Sequence, residues 1–348
     1  MKKYLSLILV IICAIIVALV SCSRRFDYYL DNGNKNNKLN IDERDLQYLE
    51  VSDGYISITQ YNEEKSKVEK KYIKDKLTKK NDLLTSSNNG NFVLEQKNMG
   101  VGSDRIISLN QLKSYNLKEN GYQIISENDN NILLQVYNHN EHEWTLKFFN
   151  KHQYNLLDID FSKTINKTNS EVNEGISLEE KTFIFLFREE DGTYLCYVND
   201  QDVKYTKISD EIMRDIKLID SDYNHILLYK GYKEGDNYGI SYPKIISLAY
   251  DINNDKLVVN TEKVIELQST DDLNGSDCVG FVRKDNNYYL LLHYRGVGLL
   301  KLYKFNESGE GKEIKMINQF DLKKVVEVNK EFKCFDGQRV VTFDLTQY

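Results

Sequence analysis

Residues 288–294 read Tyr-Tyr-Leu-Leu-Leu-His-Tyr, and residues 183–187 read Phe-Ile-Phe-Leu-Phe. A strand with one wet face alternates apolar and polar residues, whereas a strand covered on both faces does not. These two runs do not alternate, and their aromatic and branched residues suit a pleated backbone. Both therefore read as strands of sheets packed between other sheets. Working outward, five similar runs appear, at 55–61, 92–95, 132–137, 226–229 and 340–343. Most are entered through Asp53-Gly54, Asn89-Gly90, Asn130-Asn131, Asn286-Asn287 or Asp336-Gly337, residues that tolerate the positive φ of tight hairpins.

Most of the runs are followed by a second candidate strand, at 67–73, 104–110, 143–150, 193–199, 244–250 and 298–305, and some by a third, at 156–161, 203–208, 257–267 and 312–320. The starts of the seven runs lie about 47 residues apart on average, a period that fits propeller blades. The expected fold is all-β, a β-propeller of seven blades, with six or eight compatible with the spacing. Tandem β-sandwiches are the alternative. The seventh repeat stops early, while strand-like 46–51 and 26–30 precede the first. These N-terminal strands are expected to complete the last blade and so remove a free sheet edge. Residues 166–181 read as a polar excursion, and 209–215 as a short helix capped by Ser209. Residues 60–80, dense in lysine, read as a helix through Val68, Tyr72 and Leu77 or as an edge strand guarded by its lysines.

The chain has 348 residues, 41% of them hydrophobic and 28% charged, with 25 Tyr, 14 Phe, one Trp and one Pro. That composition builds a globular core. A net charge of −7 argues against nucleic acid as a partner.

The N-terminus carries its own signal. Lys2 and Lys3 precede an apolar run from Tyr4 to Val20, which ends in Leu19-Val20-Ser21-Cys22. A positive start, a short apolar stretch and a small residue before the end define a secretion signal. An uncleaved anchor is the alternative, but 17 residues are barely enough to span a bilayer and Arg24 and Arg25 place charge on the far side. The domains are accordingly drawn as a signal at 1–21, an N-terminal polar tether at 22–45, and the propeller at 46–348. About 20 extended residues of tether would reach roughly 65 Å. Within the tether, 26–30 is a candidate to dock as a strand. After cleavage the odd set Cys196, Cys278 and Cys334 remains, which reads as three buried thiols.

Chemical motifs are sparse. Gly239-Ile-Ser241-Tyr-Pro243 lacks the closing Gly of a nucleophile elbow, and no Walker loop, His-Glu-x-x-His or Cys-x-x-Cys is present. His139 and His142, beside Glu141 and Glu143, are the weak metal candidates; their place in a hairpin favours solvated turn residues. His293 lies in an apolar strand and reads as a core side chain. The acidic segment 271–277 lacks the oxygen spacing of a calcium loop. The lysines of 65–80 could meet anionic headgroups or lie on a solvated hairpin. No catalytic residue, metal or cofactor is expected.

Leu19-Val20-Ser21-Cys22 resembles the lipobox of bacterial lipoproteins. That resemblance implies a diacylglycerol on the Cys22 thiol, cleavage before it and acylation of the new amino group. Together with the polar tether and a propeller of this size, it resembles the BamB-type lipoproteins of outer-membrane barrel assembly, and the Asn/Lys/Ile/Tyr-rich composition is similar to that of spirochaete lipoproteins. The resemblance implies a cell-envelope protein on the periplasmic face of the outer membrane. It would act as a non-catalytic scaffold for a protein partner such as a BamA-like barrel, recognised through exposed Tyr and Phe. A surface-exposed adhesin or ligand-binding lipoprotein is the main alternative, and a propeller hydrolase with convergent funnel carboxylates a third.

Overall fold

The computed structural model describes residues 27–30, 46–75, 77–86, 91–97, 103–138, 143–158, 175–179, 182–189, 191–199, 203–210, 216–221, 225–231, 243–253, 256–268, 273 and 276–348. Its strands form seven antiparallel sheets, one after another along the chain. The first holds β1 (Asp27–Leu30), β2 (Gln47–Ser52), β3 (Tyr55–Asn62) and β4 (Lys67–Lys74). The second holds β5 (Leu83–Ser86), β6 (Phe92–Gln96), β7 (Arg105–Ser108) and β8 (Lys113–Asn116). The third holds β9 (Gln123–Glu127), β10 (Asn131–Asn138), β11 (Glu143–Asn150) and β12 (Asn155–Asp158). The fourth holds β13 (Ile176–Glu179), β14 (Thr182–Glu189), β15 (Gly192–Val198) and β16 (Val203–Ser209). The fifth holds β17 (Ile216–Ser221), β18 (His225–Lys230), β19 (Lys244–Asn253) and β20 (Lys256–Glu266). The sixth holds β21 (Asp277–Lys284), β22 (Asn287–Tyr294), β23 (Leu299–Asn306) and β24 (Gly311–Ile317). The seventh holds only β25 (Lys324–Val328), β26 (Glu331–Phe335) and β27 (Val340–Asp344).

These seven small antiparallel sheets are the blades of a seven-bladed β-propeller. A pair of sandwiches would need strands gathered into fewer, larger sheets. The two strands without alternation show why the blades stack. On β22, Tyr288, Leu290 and Leu292 enter a cluster with Leu227, Tyr229 and Ile245 of the fifth sheet. Tyr289 and Leu291 enter a different cluster with Phe332, Cys334 and Phe343 of the seventh. On β14, Phe183, Phe185 and Phe187 face Leu133, Leu146 and Phe148 of the third sheet, while Ile184 and Leu186 face Ile226 and Leu228 of the fifth. A period of two thus sends alternate side chains to two neighbours, each fully buried one contributing about 1.5–3 kcal/mol.

The N-terminal strands do not complete the seventh blade. Both β1 and β2 lie in the first sheet, whose order is β1-β4-β3-β2, and the seventh keeps three strands. Pairing β1 with β4 covers the edge β4 would otherwise expose, with Asp27 opposite Lys74 and Leu30 opposite Lys71. The end of the chain instead returns to the sixth sheet, where Lys284 donates to the Leu345 carbonyl (2.8 Å) and Lys304 to that of Tyr348 (2.6 Å). First-sheet side chains still meet the seventh sheet: Tyr48 and Tyr61 pack on Phe335, and Lys333 pairs with Glu63 at 2.7 Å.

Three other expectations are revised. Residues 60–74 form part of a β-hairpin, not a helix, because the Glu63–Ser66 turn places Lys67–Lys74 beside β3. The polar segment 166–181 contains the first strand of the fourth blade, Ile176–Glu179. In the seventh repeat, Val340–Asp344 is the third strand and Glu331–Phe335 the second. The expected helix at 209–215 lies largely outside the described residues, and Ser209 itself ends β16.

By contacts the chain divides into two units, one of residues 1–43, 49–59 and 69–122, the other of 44–48, 60–68 and 123–348. Among the described residues no helix is long and apolar enough to cross a membrane.

Candidate interaction site

The fourth sheet carries three aromatic rings across neighbouring strands. Phe187 on β14 stacks with Tyr194 on β15, centroids 5.1 Å apart and planes at 13°. Tyr205 on β16 meets both edge-on, at 5.9 and 6.1 Å. The register dictates this: Phe187 lies opposite Tyr194, and Tyr205 sits one strand further, opposite Cys196. Phe187 is buried, Tyr194 half-buried and Tyr205 40% exposed, so the cluster grades from core to surface. The Tyr194 hydroxyl donates to Asp191 (2.8 Å), which also pairs with Lys207 at 3.1 Å; Lys207 pairs in turn with Asp210 at 2.9 Å. Partial burial, then the bond to Asp191, pushes the Tyr194 phenol up to about 12. The bonds from Tyr194 and Lys207 hold Asp191 below its ordinary range.

The third sheet presents its own pair. Tyr137 on β10 and Trp144 on β11 lie opposite one another, centroids 5.2 Å apart at 63°. Both are half-buried. By alternation they share a face with Leu133 and Leu146, the face packed on Phe183 and Phe187 of the fourth sheet. Between Leu133 and Tyr137 on that face sits Gln135, 1% exposed, whose Oε1 and Nε2 have no protein partner among the described residues. Aromatic rings with fixed hydroxyls and one exposed edge offer large, rigid, amphipathic contact surface. Charged neighbours add orientation rather than affinity.

A buried cluster of charges in the second blade is a different kind of site. In the second sheet Arg105 of β7, 1% exposed, binds Glu95 of β6 and Asp75 beyond β4, and donates to Thr78 Oγ1 at 3.0 Å. Lys97 Nζ reaches Asp82 (2.6 Å), Glu95 (3.0 Å) and the Leu77 carbonyl (2.8 Å). Burial works against the Arg105 charge, yet the two carboxylates raise its pKa further. Asp104 accepts the backbone N–H groups of Lys97, Gly121 and Tyr122. Every carboxylate here is engaged by a cation or an amide, which describes a structural pin rather than a catalytic pair. On β9, Glu127 is likewise held by Lys151. Burial lowers the Lys324 pKa, and Glu127 opposes that shift.

Of the residues singled out from sequence, Leu19, Val20, Ser21, Cys22, His139 and His142 lie outside the described residues. So does most of 271–277; within it, Asp277 pairs with Arg295 at 2.6 Å. His293 is a core side chain, its pKa lowered by burial first and Arg295 second, with a bond to the Phe320 backbone opposing. Cys196, Cys278 and Cys334 are buried free thiols, and burial pushes Cys334 up to about 12. Sequence reading anticipated aromatic contact but named none of Tyr137, Trp144, Phe187, Tyr194 or Tyr205. Their positions on adjoining strands were the available signal.

The protein is a β-propeller with a three-ring aromatic cluster on its fourth blade and an aromatic pair on its third. No family model matches the sequence, and no curated relative matches it. Among solved structures it is similar to the β-propeller domain of the Trilobed protease from Pyrococcus furiosus, at 15% identity over 86% of this chain and 96% of that one, TM-score 0.43. It is also similar to an uncharacterized protein from Listeria monocytogenes EGD-e, at 14% identity over 89% and 95%, TM-score 0.47. A third is the acylaminoacyl peptidase of Pyrococcus horikoshii, at 16% identity over 87% of this chain and 54% of that one, TM-score 0.38. This chain thus spans about half the length of that peptidase.

Proposed function

We propose that this protein is a lipid-anchored envelope scaffold that binds a protein partner through the aromatic face of its third and fourth blades. The observation that carries the reading is the Phe187–Tyr194–Tyr205 cluster, which ends in a ring 40% exposed and is oriented by Asp191. Tyr and Trp dominate interface energetics because they bury much area at little entropic cost. The Leu19-Val20-Ser21-Cys22 stretch supports attachment through an acylated Cys22. The partner is a BamA-like barrel on the periplasmic face of the outer membrane, with the scaffold an accessory of barrel assembly.

The test is capture of the native lipoprotein in mild detergent, with Tyr205→Ala beside it. Recovery of a large outer-membrane barrel with the native chain and its loss with the variant are expected. Recovery of a barrel with both would move the contact elsewhere, and recovery of none would sink the assembly role. Palmitate labelling that persists in Cys22→Ala would remove the anchor.

A further inference from the structure

The chain enters the fold almost at once after Cys22. Strand β1 begins at Asp27, so four residues separate the acylation site from a strand hydrogen-bonded into the first sheet. Five Cα steps reach roughly 17 Å, far short of a 20-residue tether. The register gives the direction of entry. Asp27 lies opposite Lys74, at the end of β4, and Leu30 opposite Lys71, so the anchor arrives at the Lys74 end of the blade.

That end is tied together by backbone bonds. Asp75 donates to the Gly54 carbonyl (2.8 Å), Gly54 to that of Thr78 (2.9 Å), and the Lys80 N–H to Asp53 (2.9 Å). Its charges are sorted. Asp75 is turned inward onto Arg105 and Asp82 onto Lys97. Lys74, Lys79 and Lys80 are exposed, and among the described residues none of the three pairs with a carboxylate. Two of the three acids are spent inside, Asp53 alone stays exposed beside Lys80, and the three cations are left outside, at the place the anchor reaches.

We infer that the first blade rests on the membrane, its Lys74, Lys79 and Lys80 against anionic lipid headgroups, so that the propeller is held at a set orientation rather than on a long leash. This rests on the reading of Cys22 as acylated. Each lysine near an anionic surface strengthens the contact about fivefold, and the effect fades beyond roughly 8–10 Å in physiological salt.

The experiment uses the full lipidated chain in vesicles containing phosphatidylglycerol and a lipid with a spin-labelled headgroup. A fluorophore is placed at Ser52→Cys, exposed at the end of β2 beside Gly54, or at Gln111→Cys. Gln111 lies just beyond the end of β7 remote from Arg105, a strand's length or roughly 13 Å further on. Mass spectrometry of the same samples reads the acyl group on Cys22. Strong quenching at position 52 and weak quenching at 111 is the expected result. Adding Lys74→Gln and Lys79→Gln, or replacing phosphatidylglycerol by a neutral lipid, should erase the difference; the two substitutions lower the constant for the resting state about 30-fold. Equal quenching at both positions on acylated protein overturns the orientation and leaves the anchor standing. A difference that survives neutral lipid and high salt overturns the role of the lysines. Absence of acyl on Cys22 overturns anchor and inference together.

Discussion

The second blade and the fourth both gather charge beside a packed sheet, yet they treat it oppositely. Around Arg105 the ions are sealed: Glu95, Asp75 and Asp82 meet Arg105 and Lys97 with almost no exposure. Around Tyr205 the ions Asp191, Lys207 and Asp210 stay in water, and the buried element is an aromatic ring. A charge taken from water must find its partner inside the protein, so the first cluster can only hold. A charge left in water costs little to rearrange, so the second can meet something new.

Removing one member of the sealed cluster should give the largest effect. Arg105→Met leaves Asp75 without its cation and Glu95 with Lys97 alone, and is expected to cost about 3–5 kcal/mol, read as a shifted midpoint in urea unfolding. Replacing the aromatic anchor should leave stability nearly unchanged. Tyr205→Ala is expected to weaken partner capture by about 2 kcal/mol, or roughly 30-fold, while the urea midpoint moves little. Should Tyr205→Ala unfold the protein as Arg105→Met does, the contrast between the two regions would collapse.

The smallest effect concerns the rim of the patch. The Tyr194 phenol is raised from 10 to about 12, so the stability it supplies is complete below pH 10 and lost as pH rises through 12. Ultraviolet titration should show one tyrosine ionising near pH 12. Asp191→Asn removes one cause of the shift, and that tyrosine should then titrate nearer 10, though still above it because burial remains.

Much of the fold was legible because β14 and β22 are apolar on both faces, which only a strand between sheets requires. Two strands were harder. Ile176–Glu179, which opens the fourth blade, hides in a polar stretch, and Glu331–Phe335, the second of the seventh, alternates charged and apolar residues and gives a weaker signal than Val340–Asp344 beside it. Such strands are recruited by a partner already in place rather than by their own pattern. The interaction patch was less legible still. Alternation shows that Tyr137 and Phe187 each face sideways out of their sheets, not that the two faces meet.

Sequence alone determined the all-β class, a blade-like spacing compatible with six to eight repeats and the lipobox-like Leu19-Val20-Ser21-Cys22, because period, spacing and a short motif are local properties of a chain. Only the tertiary structure decided that β1 pairs with β4, that Asp75 and Asp82 turn inward while Lys74, Lys79 and Lys80 do not, that the seventh blade has three strands, and that Phe187, Tyr194 and Tyr205 from three strands meet in one cluster. Each of those outcomes depends on which strands become neighbours. Neighbourhood is set by burial and hydrogen bonding across tens of residues, which no single stretch of sequence contains.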